Sequence, residues 1–307
     1  MTDAEHAAYP VDDPRSSVDW SQGGTVLAFV NEVAGGRRLL GAIRERVEAG
    51  ADAVAVVAPQ NQPIVGQIVD RDEVRDAAQS RVEVTEQVLE AFGIESAGAV
   101  MDPDPSLALD DAVRAFGPSE VLLSALYETR FGLTRKDLVE WAKAKIEVPV
   151  THIPVRVDDD AVRWDVVHTL LVGTQTVASP DLIRRLKARA EEKPHRYTII
   201  CPRSGDLSRE QVCERLARTL AELYRSDIDA TGQPMSPEPF AAITNAIAHY
   251  RIDEVLISTL AGRQSKWLEE GLIDRVKEMT DLPVEHYEAQ TTGEAAPRSA
   301  EAAGAVS

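Results

Sequence analysis

The sequence repeats itself at the scale of a domain. A constant offset of 143 positions carries Leu39 onto Leu182 and Pro59 onto Pro202. With them the stretch TVLAFV, LLGAIRERVEAG, AVAVVAP (25–59) maps onto HTLLVGT, LIRRLKARAEEK, YTIICP (168–202). A second offset, 134, carries SEVLLSAL (119–126) onto DEVLISTL (253–260) and VPVTHI (148–153) onto LPVEHY (282–287). A chain of 307 residues that carries such a duplication reads as two tandem copies of one domain. Each copy, at roughly 120–130 residues, is long enough to bury a core of its own.

Within each copy, short apolar strands alternate with amphipathic helices. Residues 25–30 form an unbroken apolar run, the pattern of a strand covered on both faces. Leu39, Leu40, Ile43 and Val47 then recur at helical spacing. A second strand, 53–58, closes at Pro59, and a long helix carries Val74, Ala78, Val82, Thr85, Val88, Leu89 and Phe92 up to a capping Gly93. A third strand (96–101), a third helix (106–116) stopped by Gly117-Pro118, a fourth strand (121–124), a fourth helix (133–145) and a fifth strand (148–153) complete the first copy. The second copy places strands near 168–173, 196–201, 227–231, 254–258 and 283–287, and helices near 180–192, 208–224, 237–249 and 267–279. This alternation implies right-handed crossovers. The expected fold is α/β: two tandem doubly wound domains, each with a five-stranded parallel sheet. The boundaries fall at a polar tail (1–23), a first domain (24–156), an acidic linker (157–166), a second domain (167–288) and a second tail (289–307).

Charge and composition narrow the function. Against 33 Lys and Arg stand 51 Asp and Glu, a net charge of −18, which opposes binding to nucleic acid or anionic membranes. No apolar run reaches the ~18 residues of a membrane span, and no basic-then-apolar leader opens the chain, so a cytoplasmic location is expected. The 2 cysteines, Cys201 and Cys213, make no CxxC pair and read as small buried hydrophobes. His152 and His286 occupy equivalent places in the two copies, with no ligand at metal spacing beside them, and read as packing residues. No GxSxG elbow, HExxH helix or selectable carboxylate pair is present, so no catalytic residue and no metal site are assigned.

The strand–helix order resembles the universal stress protein family in tandem form. The likeness is carried by the first strand with its short loop and helix (VLAFVNEVAGGRRLL; TLLVGTQTVASPDLI), the second strand ending in Ala58-Pro59 or Cys201-Pro202, the long second helix, the fourth strand (EVLLS; EVLIS), and the fourth helix running into a Pro-containing fifth strand (EVPVTHI; DLPVEHY). The resemblance implies a stress-related regulatory protein without enzymatic activity. It also implies that the two domains pack as an internal pseudo-dimer, and a homodimer is open to such a chain. Members that hold ATP carry a glycine-rich turn after the fourth strand, where backbone N–H groups meet the phosphates. Here that turn has eroded. The first copy offers Gly132 among Leu126, Tyr127 and Phe131, with Tyr127, Arg130, Thr134 and Arg135 as weak anion candidates and Thr134 as the helix cap. The second copy keeps Ser258, Thr259, Gly262, Arg263, Gln264, Ser265 and Lys266 at the carboxyl end of its fourth strand, where open α/β sheets bind ligands. Thr174 stands where the family usually has Asp, and Asn31 stands there in the first copy. The expected cofactor-binding set is therefore Thr174, Ser258, Thr259, Gly262, Arg263, Ser265 and Lys266, holding ATP, AMP or another anion weakly. The competing reading makes Ser265 a helix cap only, and makes both domains ligand-free modules that bind partner proteins.

Overall fold

The computed structural model describes residues 24–31, 34, 36–61, 71–125, 130–131, 136–155, 166–202, 207–235, 238–262 and 266–290. The expected tails at 1–23 and beyond 290, and nearly all of the linker, lie outside them.

Each copy builds one five-stranded sheet, all of it parallel. In the first half β1 (Thr25–Val30), β2 (Ala53–Pro59), β3 (Ser96–Met101), β4 (Glu120–Ala125) and β7 (Val150–Pro154) lie in the order β3-β2-β1-β4-β7. In the second, β8 (Val167–Val172), β9 (His195–Pro202), β10 (Asp229–Met235), β11 (Glu254–Leu260) and β12 (Val284–Ala289) lie in the order β10-β9-β8-β11-β12. Both sheets are doubly wound. The chain leaves β1 (or β8) in one direction and returns to its other side at β4 (or β11), which leaves a crevice at the carboxyl ends of those two strands. A two-residue antiparallel pairing, β5 (Arg130–Phe131) with β6 (Lys136–Asp137), is added to the first half.

The apolar alternation along each strand decides which helices cover which face. Leu27 and Phe29 of β1 join Ala108, Leu109 and Ala112 of α3 (Pro105–Phe116) and Leu138 and Ala142 of α4 (Leu138–Lys145). Val26, Ala28 and Val30 face the other way, towards α1 (Arg37–Glu48) and α2 (Arg71–Ala91). That second cluster continues without a break into the other half, through Leu182 and Leu186 of α5 (Pro180–Glu192) and Val212, Leu216 and Leu220 of α6 (Arg209–Tyr224). The far face of the second sheet packs on α7 (Pro239–His249), α8 (Lys266–Glu269) and α9 (Leu272–Met279). One helical core is thus shared between two sheets. The equivalent helices α2 and α6 pack against each other, and α2 also touches β10. Arg209 of α6 reaches Glu83 of α2 at 2.9 Å, Arg225 donates to the Ala91 carbonyl, and Ala34 bridges to Gly232 of β10. Gly232 is required there: a Cβ would stand 2.7 Å from Leu216 Cδ1 and 3.0 Å from the Ile199 carbonyl oxygen.

The duplication also preserves an ion pair. Arg46 of α1 grips Glu120 of β4 with two bonds, at 3.0 and 2.9 Å, and Thr151 donates to the same carboxylate at 2.7 Å. At the corresponding positions Arg189 of α5 bonds Glu254 of β11, and Glu285 takes the place of Thr151, accepting from Arg189 at 2.6 Å. In each half the pair fastens the first helix to the fourth strand.

Four expectations are corrected. The fourth helix of the first copy begins at Leu138 rather than 133, because the Asp137 side chain caps it by accepting from the Val139 and Glu140 amides; Thr134, the expected cap, lies outside the described residues. The single helix expected at 267–279 is two, divided where Gly271 takes a left-handed φ of 66° and caps α9. The third strand of the second copy starts at Asp229, since Asp227 turns the chain at φ 59°. Ala289, assigned to the tail by composition, ends β12 and is fully buried. Pro234 inside β10 is accommodated because β10 is an edge strand and lends it no ladder to break on its outer side.

Candidate functional site

Thr174, Ser258 and Thr259 lie at the carboxyl edge of β8 and β11. These side chains turn inward: the three residues are 3%, 1% and 4% exposed. Thr174 donates to the Pro202 carbonyl at the end of β9, at 2.5 Å. Thr259 Oγ1 meets His286 Nε2 at 2.8 Å, which ties β12 to β11. Ser258 Oγ is buried and, among the described residues, has no hydrogen-bond partner. Leaving a buried hydroxyl unsatisfied costs about 1–3 kcal/mol. Gly262 follows, exposed, at φ 70°, the backbone freedom its position suggested. Lys266 opens α8; Arg263, Gln264 and Ser265 lie outside the described residues.

What stands over this floor is the loop from β8 to α5. Thr176 and Val177 are 1% and 0% exposed. Thr176 donates to the Ser258 carbonyl at 3.2 Å, and its amide-and-carbonyl turn closes with Ser179 N donating to Thr176 O at 2.8 Å. Gly173 lies directly beneath: a Cβ on it would meet Thr176 Oγ1 at 2.8 Å and Val177 Cγ2 at 3.4 Å. From the other side Arg215 of α6 donates to the Gln175 carbonyl at 2.9 Å. The turn forces Ala178 to φ 74°, a left-handed conformation that costs a residue bearing a Cβ about 1 kcal/mol. Ser179 then caps α5 by accepting from the Leu182 amide, and Pro180 occupies its first turn.

The first half settles the same edge differently. Asn31, the counterpart of Thr174, is fully buried and accepts from Asn61 Nδ2 at 2.9 Å. Asn61 in turn accepts from Arg81 of α2 at 2.8 Å, and Arg81 also donates to the Pro59 carbonyl at 2.7 Å. Pro59 and Pro202 are equivalent, so the carbonyl ending each second strand is satisfied by Arg81 in one half and by Thr174 in the other. Neither Asn61 nor Arg81 was singled out from sequence. The signal was present: Arg81 falls between Ala78 and Thr85 on the apolar face of α2, where a guanidinium that is 1% exposed must be hydrogen-bonded. The nearby cleft is lined by Gly36, Arg38, Leu39, Ser124, Ile153 and, from the second half, Asp229 and Thr231. Gly36 begins α1 with no side-chain cap. Of the first-half anion candidates, Arg130 lies in β5, and Tyr127, Gly132, Thr134 and Arg135 lie outside the described residues.

The remaining candidates are structural. His152 Nε2 lies 2.9 Å from the Ala125 carbonyl, the place taken by Thr259 opposite His286. Cys201 and Cys213 are free and buried; burial pushes both thiols up, Cys213 to about 12, so neither is a ready nucleophile. Among the described residues no group of three His, Cys, Asp or Glu is placed to hold a metal ion, and no helix is long and apolar enough to cross a membrane.

No family model matches the chain, and no curated protein does. Solved structures that match include a universal stress protein family member from Burkholderia pseudomallei, at 16% identity and TM-score 0.30, covering 42% of this chain and 95% of that one. Another is a universal stress protein from Archaeoglobus fulgidus DSM 4304, at 16% identity and TM-score 0.31, covering 87% of this chain and 99% of that one. A third is histidinol dehydrogenase from Elizabethkingia anophelis, at 10% identity and TM-score 0.25, covering 86% of this chain and 53% of that one. What establishes the fold is the strand order and register within the chain itself, and a shared fold assigns no reaction.

Proposed function

We propose that this chain is a non-enzymatic, stress-related regulatory protein of the universal stress type. It acts by binding partner proteins from a rigid pseudo-dimer of its two halves, in the cytoplasm. The observation that carries this reading is the buried, internally bonded carboxyl edge of the second sheet. Thr176 and Val177 are buried beside it, and Thr174 and Thr259 are already bonded within the protein. The continuous core through α2 and α6 supports the pseudo-dimer, since a cluster shared between two sheets resists their separation. Isothermal titration with ATP, ADP and AMP, together with an assay for phosphate release, tests it. The expected result is no heat at micromolar concentrations and no turnover. Micromolar ATP binding, or release of phosphate that is lost with Ser258→Ala, overturns it. A second reading, weak binding of an adenine nucleotide or other anion to the second half, is favoured by one feature: the unsatisfied Ser258 hydroxyl at the carboxyl edge.

A further inference from the structure

We propose that the β8–α5 loop, residues 173–179, is an internal strap that holds the second crevice shut and can swing away from it about Ala178. The inference rests on the reading above, in which the polar groups of that edge are engaged within the protein, and adds that the engagement is conditional. Three features carry it. The loop is fastened by polar bonds to three separate elements, the Gly173 amide and Thr174 to β9, Thr176 to β11 and the Gln175 carbonyl to Arg215 of α6, and by Val177, which is fully buried in the shared core. Its turn is made by an alanine at φ 74°, where glycine would sit without strain. Beneath it Ser258 Oγ is sealed from solvent with no partner among the described residues. A loop whose only duty was packing would be relieved by glycine at 178 and by a bonded or apolar residue at 258. A strained turn over an unsatisfied floor is instead what a two-position element requires, because each feature favours release while the tethers favour closure. Opening exposes Ser258 Oγ and the Ser258 carbonyl, a donor and acceptors suited to a small polar ligand.

The test reads opening directly and needs no ligand. In the full-length chain, Ser258→Cys is treated with a small maleimide and the labelled peptides are quantified, the buried Cys201 and Cys213 serving as internal controls for global unfolding. The thiol introduced by Ser258→Cys is expected to react at least about tenfold faster than either natural cysteine, the margin expected when local opening precedes global unfolding. Adding Thr176→Val, which removes the tether to β11, is expected to raise that rate, and adding Ala178→Gly to lower it about fivefold as the strain is relieved. Labelling no faster than that of Cys213, or a rate indifferent to both substitutions, overturns the strap. Should Ser258→Cys fail to fold, amide exchange on the unaltered chain decides. Faster exchange at 176–179 than at Leu170–Val172 supports the proposal; equal protection overturns it. Nucleotide titration addresses the functional reading separately, so the two can fail independently.

Discussion

Cutting one of the duplicated ion pairs should destabilise the chain in a way that can be measured term by term. Arg46 and Glu120 are 26% and 21% exposed at their side chains and joined by two bonds of 3.0 and 2.9 Å. Exposed pairs contribute about 0–1 kcal/mol, whereas breaking a fully buried pair costs about 3–5 kcal/mol. A pair three-quarters buried, bidentate, and supported by Thr151 should fall between them. We expect Glu120→Gln to cost roughly 1.5–3 kcal/mol, the range of hydrogen bonds to charged groups, read as a lower urea midpoint at unchanged m-value. Arg46→Met, which keeps the apolar stem, should cost less. The double mutant should show a coupling of roughly 1–2 kcal/mol, as contacting residues do. The pH dependence follows from the same geometry. The Arg46 hydrogen bond, aided by Thr151, holds the Glu120 carboxyl below its ordinary range against the opposing effect of burial. A carboxyl depressed in the folded state contributes stability above its unfolded pKa and loses it as pH falls through the folded value. The gap between the unaltered chain and Glu120→Gln should therefore be full at pH 7 and close in acid, below about pH 4. A loss under about 0.5 kcal/mol, the scale of an ordinary surface substitution, or a gap unchanged at low pH, would refute the assignment of this pair as the fastening between α1 and β4.

Three further substitutions probe the packing. Gly98→Ala should lower the melting temperature, because a Cβ there would sit 2.1 Å from Val82 Cγ1 of α2, an overpacking that costs roughly 1–3 kcal/mol; Gly41→Ala, in α1 with nothing within 4 Å, should instead stabilise by about 0.5–1 kcal/mol. Leu216→Ala, at a fully buried position of the shared core, should cost about 2–5 kcal/mol. Because that core joins both sheets, calorimetry should show one transition moving as a unit, and two transitions with only one displaced would contradict a shared core.

Much of the architecture is legible in the residues. Duplicated apolar blocks at two constant offsets specify two copies, and alternation of strands and helices specifies parallel sheets. Local chemistry announces several element ends: Gly93 at φ 74° and Gly117 at φ 53° close α2 and α3 as their positions suggest, and Ser179 caps α5. The errors arose where two signals of similar strength competed. Thr134 and Asp137 both suit a cap, and the structure caps α4 with Asp137. Gly271 inside an amphipathic pattern reads as a tolerated glycine until the chain must change direction there.

The carboxyl edge shows the same division. That Thr174, Ser258 and Thr259 fall at one sheet edge is a consequence of strand order, which periodicity and the duplication suffice to specify. That the Thr174 hydroxyl bonds the Pro202 carbonyl and the Thr259 hydroxyl bonds His286 is a matter of contacts between residues about thirty positions apart. Arg81 teaches the converse: its place on an apolar helix face is visible in the sequence, but its partners, Asn61 and the Pro59 carbonyl, become neighbours only when α2 lies along the sheet. The sequence by itself determined two parallel α/β copies, because backbone hydrogen bonding and burial respond to short-range pattern. Only the tertiary structure decided that the copies share one helical core and that Thr174 and Thr259 bond within the protein, because both depend on which groups become neighbours once the chain is compact.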